Sequence, residues 1–283
     1  MVQYKLTVFG SPIAHSRSPE IHQCFARECG VAIEYTRSLA SASAFPEIFR
    51  AFADDGGVGA NVTLPLKEIA LRLADSVSER ARLAGAVNTL VKTEQGWHGD
   101  NTDGAGLVMD LQRLQVNLAN ARVLILGAGG ATRGVIQPLL SAHVGELVIA
   151  NRTLAKAEAI VAEWQQSGRN GKSASQPQTG RVNITALALD DLRLHQPWDL
   201  IINATSASLG GERPDVADQV LVAQPFCYDM VYSDAPTAFM TWAQQHHCAV
   251  ADGFGMLVGQ AAESFRLWTG HRPSIEHALK LLR

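Results

Sequence analysis

The chain has 283 residues, and at roughly 150 residues per domain that length predicts about two domains. Its composition is 47% hydrophobic and 18% charged with a net charge of −3, which excludes whole-chain disorder and gives no overall basic footprint for nucleic acid. No apolar run reaches the length of about 18 residues that spans a bilayer, and the opening MVQYKLTVFG has neither the basic flank nor the cleavage site of a secretory signal.

Cys24, Cys29, Cys227 and Cys248 form no CxxC pair, so reduced thiols in a cytoplasmic setting are expected. His246, His247 and Cys248 are adjacent on one segment and cannot all face one ion, so no metal site is expected there.

In chain order, short apolar or β-branched runs predict strands at 3–9, 32–37, 58–63 and 87–92. Helices are predicted between them at 18–29, 43–54 and 66–84. The first has a clear start and stop: Ser18 as cap, Pro19 at the first helical position, Glu20 in the first turn and Gly30 at the end. Leu107, Leu111 and Leu114 recur at the spacing of an amphipathic helix over 104–116. Strands then follow at 122–127, 146–150, 181–185, 199–203, 226–231 and 248–251, separated by helical stretches. This alternation predicts a parallel sheet with crossover helices. Pro138 falls inside the helix after 130, where a kink is expected. The stretch 168–181 (GRNGKSASQPQTGR) reads as a surface loop, and two helices close the chain at 255–268 and 273–282.

Between the strand at 122–127 and its helix lies Gly127-Ala128-Gly129-Gly130-Ala131-Thr132. In that context glycines allow a tight turn and a close approach to a pyrophosphate, while the helix N-terminus offers N–H donors. Thr132 stands where the usual fingerprint has its third glycine. The next strand ends in Asn151-Arg152-Thr153, with Lys156 one turn on. An NAD-selective site usually has an acid at that strand end, whereas a guanidinium favours a 2′-phosphate, so NADP is the expected cofactor. The alternative is that both cations are merely solvated.

The first half carries polar residues at strand ends: Ser16 and Ser18, then Asn61, Thr63 and Lys67, then Asn88, then Asp103 in Gly99-Asp100-Asn101-Thr102-Asp103-Gly104. Taken singly, Ser18 reads as a cap and Lys67 as a solvated side chain. Taken together, nine stretches in order resemble the shikimate and quinate dehydrogenase family: GSPIAHSRSPEIH (10–22), NVTLPLKE (61–68), AGAVNTL (84–90), GDNTDG (99–104), GAGGATRG (127–134), NRT (151–153), INATSAS (202–208), YDMVY (228–232) and DGFGMLVGQAA (252–262).

The resemblance implies an α/β protein with an N-terminal substrate domain, a Rossmann-type doubly wound NADP-binding domain and a cleft between them. It places the domains at 1–105 with returning helices 256–283, and at 106–255. The implied activity is that of an oxidoreductase of aromatic amino-acid biosynthesis, the reversible NADPH-dependent reduction of 3-dehydroshikimate to shikimate. Lys67 and Asp103 match the catalytic pair. Ser16 and Ser18 match the carboxylate-binding serines, and Asn61, Thr63, Asn88, Asp103, Tyr232 and Gln260 match residues around the ring. On the cofactor side, Gly127, Gly129, Gly130 and Ala131 would line the pyrophosphate, and Asn151, Arg152, Thr153 and Lys156 the 2′-phosphate. Asn203, Thr205, Ser206, Met230, Gly253 and Met256 would lie near the nicotinamide half. The implied partner is a small molecule, with no nucleic acid, membrane or metal involved. Family members occur as monomers and homodimers, and both states stay open. The alternatives are a quinate/shikimate dehydrogenase using NAD or both cofactors, and a non-catalytic sensor that would have no need of the lysine–aspartate pair.

Overall fold

The structure, a computed structural model, describes residues 3–166 and 183–283. The loop expected at 168–181 and the first two residues of the strand expected at 181–185 lie outside the described residues. The chain divides into two compact units, Met1–Asp110 with Gly255–Arg283, and Leu111–Phe254.

The first unit begins β1 (Tyr4–Gly10), α1 (Ser18–Cys29), β2 (Ile33–Leu39), α2 (Phe45–Asp54), β3 (Gly59–Val62) and α3 (Lys67–Leu73). It continues with β4 (Ser76–Val77), α4 (Glu79–Ala84), β5 (Thr89–Thr93), β6 (Gly96–Asp100) and α5 (Asp103–Arg113). The strands form one mixed sheet in the order β2-β1-β3-β5-β6-β4. The pairs β1/β2, β1/β3 and β4/β6 are parallel, whereas β3/β5 and β5/β6 are antiparallel. The central β1 is buried along its last five residues, and Phe9 packs with Phe45, Phe49, Val62, Leu66 and Leu90 in the core of this unit.

Three sequence expectations need correction here. The helix expected at 66–84 is broken. Ala74 is extended, Asp75 accepts a bond from the Trp97 N–H at 2.7 Å, and Ser76–Val77 pair with His98–Gly99. Ser78 then caps α4 by accepting from the Ala81 N–H at 3.1 Å. Polar side chains at 75–78 offer the backbone partners outside the helix and so end it. The strand β6, absent from the expectations, is hidden by Gly96 and Gly99. A Cβ at Gly99 would sit 2.7 Å from Val87 Cγ2, so close packing there requires glycine. Finally, Ser18 is the first residue of α1 and caps nothing. Arg17 already has near-helical backbone angles, and Ser16 Oγ accepts the Ser18 N–H at 3.3 Å. Gly30 closes α1 in the left-handed conformation, as its position predicts.

The second unit contains β7 (Arg122–Leu126), α6 (Gly130–Ser141), β8 (Glu146–Asn151), α7 (Leu154–Gln166), β9 (Asn183–Ala188), β10 (Leu200–Asn203), β11 (Phe226–Asp229), α8 (Ala238–Gln245) and β12 (Val250–Ala251). Every pairing in its sheet is parallel, in the order β12-β11-β10-β7-β8-β9. This is the doubly wound order in which direction of travel reverses between β7 and β10, where such sheets bind dinucleotides. Leu124, Leu126, Val148, Ile201, Trp198 and Phe239 belong to its core. The helix α6 runs through Pro138 to Ser141, carrying the proline in its last turn.

The chain then returns to the first unit as α9 (Phe254–Thr269) and α10 (Ile275–Leu282). Trp268 Nε1 of α9 donates to the Leu90 carbonyl at 2.9 Å. A Cβ at Gly106 would stand 2.5 Å from both Gln260 N and Met256 O, so α5 and α9 touch backbone to backbone. That contact draws residues 106–110 into the first unit.

Candidate active site

Lys67 opens α3 directly after a tight turn in which the Leu66 N–H donates to the Thr63 carbonyl at 2.9 Å, with the Leu66 side chain fully buried beneath it. Lys67 Nζ donates to Asp103 Oδ2 at 2.6 Å. The two side chains are 24% and 12% exposed, so this pair is reachable yet shielded enough for its charges to act on a bound group. Asp103 opens α5, where the free N–H groups of a first turn favour a carboxylate. Its second oxygen accepts from Asn88 Nδ2 at 2.8 Å, and its backbone N–H donates to Asn101 Oδ1 at 3.1 Å. The carboxylate is therefore fixed from two sides.

Asn88 is buried at the centre of a larger polar network. Its amide nitrogen also reaches Thr102 Oγ1 at 3.0 Å and Gln260 Oε1 at 2.9 Å, while its oxygen accepts from the Thr102 N–H at 2.8 Å and the Thr89 hydroxyl at 2.9 Å. Gln260 Nε2 and the Thr63 hydroxyl have no partner among the described residues and remain available as donors. Asn61 is more committed. Its Oδ1 accepts from the Tyr35 hydroxyl at 2.7 Å and pairs with His22 Nε2 at 3.1 Å. Its Nδ2 reaches Ser264 Oγ at 3.1 Å and the Asn88 carbonyl at 3.2 Å, so both ends of the amide are used inside the fold.

Nothing in the sequence singles out His22, Tyr35 and Ser264. A lone histidine on a helix face carries no signal of its own, and only the fold stacks it on Tyr35 with ring centroids 4.5 Å apart. His22 Nδ1 is buried without a partner among the described residues, as suits a neutral ring whose Nε2–H donates to Asn61. Burial pushes its pKa down to about 3 against the raising effect of the Asn61 bond. Ser16 Oγ donates to Ser18 Oγ at 3.2 Å, and Arg37 holds the Ser16 carbonyl with two bonds of 2.9 and 2.6 Å.

In the second unit, Gly127 ends β7 with φ +109° and its N–H donates to the Ala150 carbonyl at 2.8 Å. Gly129 and Gly130 open α6 with nothing within 4 Å of an added Cβ, a bare cradle beside the N–H groups of a helix start. The adjoining Ala131 is exposed. Thr132 is buried, and its hydroxyl donates to the Gly127 carbonyl at 2.8 Å, closing the turn from within. At the end of β8, Asn151 Nδ2 donates to the Thr153 carbonyl at 2.8 Å. Arg152 and Lys156 are exposed, with no ion-pair partner among the described residues.

Asn203 at the end of β10 is fully buried. It accepts from the Thr205 hydroxyl at 2.7 Å and donates to Asp229 Oδ1 at 3.2 Å, so it shapes the turn that carries Thr205 and the exposed Ser206. The Met230 N–H donates to the Asn203 carbonyl at 3.0 Å, and the Gly253 N–H donates to the Val231 carbonyl at 3.1 Å. Tyr232 lies 40% exposed beside Phe254 in the second unit, whereas Met256 is buried on α9 in the first. Among the described residues no group of three or more His, Cys, Asp or Glu could hold a metal, and no helix is long and apolar enough to cross a membrane.

The chain is similar to known proteins along its length. The profile of the shikimate dehydrogenase substrate binding domain matches residues 8–90, that of shikimate / quinate 5-dehydrogenase matches 110–210, and that of the shikimate 5′-dehydrogenase C-terminal domain matches 253–283. A shikimate dehydrogenase (NADP(+)) from Cellvibrio japonicus is 47% identical over 98% of this chain and 95% of its own. The crystal structure of the Ael1 enzyme from Pseudomonas putida superposes with a TM-score of 0.89 at 38% identity, covering 99% of this chain and 98% of that one. The shikimate 5-dehydrogenase of Thermus thermophilus, solved in complex with NADP(H) and shikimate, gives a TM-score of 0.83 at 30% identity over 98% and 97% of the two chains.

Proposed function

The chain belongs to the shikimate dehydrogenase family, and from that premise we propose that it interconverts 3-dehydroshikimate and shikimate with NADP(H). The observation that carries the chemistry is the Lys67–Asp103 contact at 2.6 Å, held in place by Asn88. In this reading the first unit binds the substrate and the second binds the cofactor.

Bound NADPH supplies the hydride that reduces the ketone carbon. The Lys67 ammonium donates a hydrogen bond to the ketone oxygen, stabilises negative charge developing there, and passes it a proton. Asp103 keeps the ammonium aimed and accepts a bond from a neighbouring ring hydroxyl. In the oxidation direction the same pair removes the hydroxyl proton as the hydride leaves. Ser16 and Ser18 bind the carboxylate, and Thr63 and Gln260 donate to ring hydroxyls. Asn61 supports this wall through Asn88 rather than by direct contact.

On the cofactor side, the bare cradle at Gly129 and Gly130 fits a pyrophosphate, with Gly127 and Ala131 completing the turn. Arg152 and Lys156, with Asn151 and Thr153, suit a 2′-phosphate by charge and by forked hydrogen bonding. Thr205, Ser206, Met230, Gly253 and Met256 serve the nicotinamide half, with Asn203 fixing the turn beneath it. The test is spectrophotometric: cofactor reduction with shikimate and with quinate, each run with NADP and with NAD. Shikimate with NADP is expected to give the highest kcat/KM. Absence of turnover with every pairing would defeat the enzymatic reading, and a preference for NAD would overturn the role given to Arg152.

A further inference from the structure

A second charged cluster in the first unit, joined to Asp103 through Asn101, is not used by the chemistry above. Arg80 on α4 grips Asp100 with two bonds, Nε to Oδ1 and Nη2 to Oδ2, both at 2.7 Å. The same guanidinium donates to Glu263 Oε1 on α9 at 3.0 Å. Arg266 adds two bonds to Glu263, at 2.8 and 2.9 Å. The Asp100 and Glu263 side chains are 6% and 8% exposed, so neither carboxylate could lose its cation without a large desolvation penalty.

What each carboxylate carries gives the cluster its meaning. Asp100 Oδ1 also accepts from the Asn101 N–H at 2.7 Å, which starts the turn Asn101–Thr102–Asp103. Asn101 in turn receives the Asp103 N–H. Glu263 stands one helical turn after Gln260, whose oxygen accepts from Asn88 at 2.9 Å. One guanidinium therefore holds both the loop that delivers Asp103 and the helix that delivers Gln260.

We propose that Arg80 is a positioning residue for the reaction, setting Asp103 through Asp100 and Gln260 through Glu263. This rests on the functional reading above, in which Asp103 serves the chemical step and Gln260 a ring hydroxyl. The two arms then have separable consequences. Asp100→Asn loosens the loop and lowers kcat by about tenfold or more, because a small misplacement of a reacting group is costly. Glu263→Gln loosens α9 and raises KM for shikimate about threefold or more while kcat stays close to that of the unsubstituted chain, as loss of uniform binding does.

Arg80→Met combines both losses, and Arg80→Lys, which keeps the charge without the fork, recovers part of kcat. Thermal unfolding and NADPH affinity, the latter a property of the other unit, control for general loss of fold. If Arg80→Met does not fold, the two carboxylate variants still decide the matter. The proposal is overturned if both single variants change kcat and KM in the same proportion, or if neither changes either constant beyond about twofold. A full-length unsubstituted chain that turns over no substrate would overturn the functional reading and this inference with it.

Discussion

At position 132 the chain has a hydroxyl where a dinucleotide fingerprint commonly ends in glycine, and the Thr132 bond to the Gly127 carbonyl at 2.8 Å turns that departure into a brace. The side chain is buried, so the departure leaves the open surface at Gly129 and Gly130 unobstructed. Immediately after β8, Arg152 is exposed and has no ion-pair partner among the described residues. Arg152→Ala is expected to weaken NADPH binding by roughly 1–3 kcal/mol, the cost of a charge-assisted bond, and to change NADH binding far less. Titration of both cofactors checks this; equal losses would mean that the residue does not read the 2′-phosphate. Both residues were legible in the sequence, since a strand–glycine–helix corner and the residue type at a strand end are local features. His22 was not, because its role depends on the Asn61 and Tyr35 contacts that only the folded first unit creates.

Among the elements, α4, β6 and α9 are joined by buried charges and α1 carries a buried neutral imidazole, and both features tie stability to pH. Burial opposes ionisation of Asp100, but Arg80 and Ser78 hold its pKa below the usual carboxylate value; Glu263 is likewise held down, against burial, by Arg266 and Arg80. Depressed carboxylates contribute stability that is present above about pH 4 and lost as pH falls through their folded values. His22 acts earlier. With a folded pKa of about 3 against 6.5 unfolded, the unfolded chain binds a proton that the native chain refuses, so stability falls by up to about 1.4 kcal/mol per pH unit below about 6.5. Urea midpoints from pH 8 to pH 4 should decline below about 6.5 and steepen near 4, and His22→Gln should flatten the upper part of that decline. An unchanged slope in the variant would contradict the assignment. The elements are unevenly legible in the sequence. The parallel strands of the second unit follow from alternating apolar runs and helical periods, whereas the break at Ala74–Ser78 and the glycine-bearing β6 depend on pairing between distant segments.

On the scale of the whole molecule, the chain crosses between its two units after Asp110 and again after Phe254. The second crossing returns α9 to the first unit, where Gln260 joins Asn88 and, through it, Asp103. No periodicity in the sequence predicts that return; it was legible only through the likeness of the DGFGMLVGQAA stretch to a known family. The order of the motifs did place Lys67 and Asp103 in the same half of the chain, and the fold brings them into contact across 36 residues. The proposed chemistry depends on that contact. Its most direct test is steady-state oxidation of shikimate with NADP by the unsubstituted chain and by Lys67→Ala, with shikimate and NADPH affinities measured alongside. The expected result is a kcat lowered by at least ~100-fold, the low end for lost acid–base catalysis, with NADPH affinity unchanged and shikimate affinity much less affected. A variant whose kcat stays within a few-fold of the unsubstituted chain would contradict it.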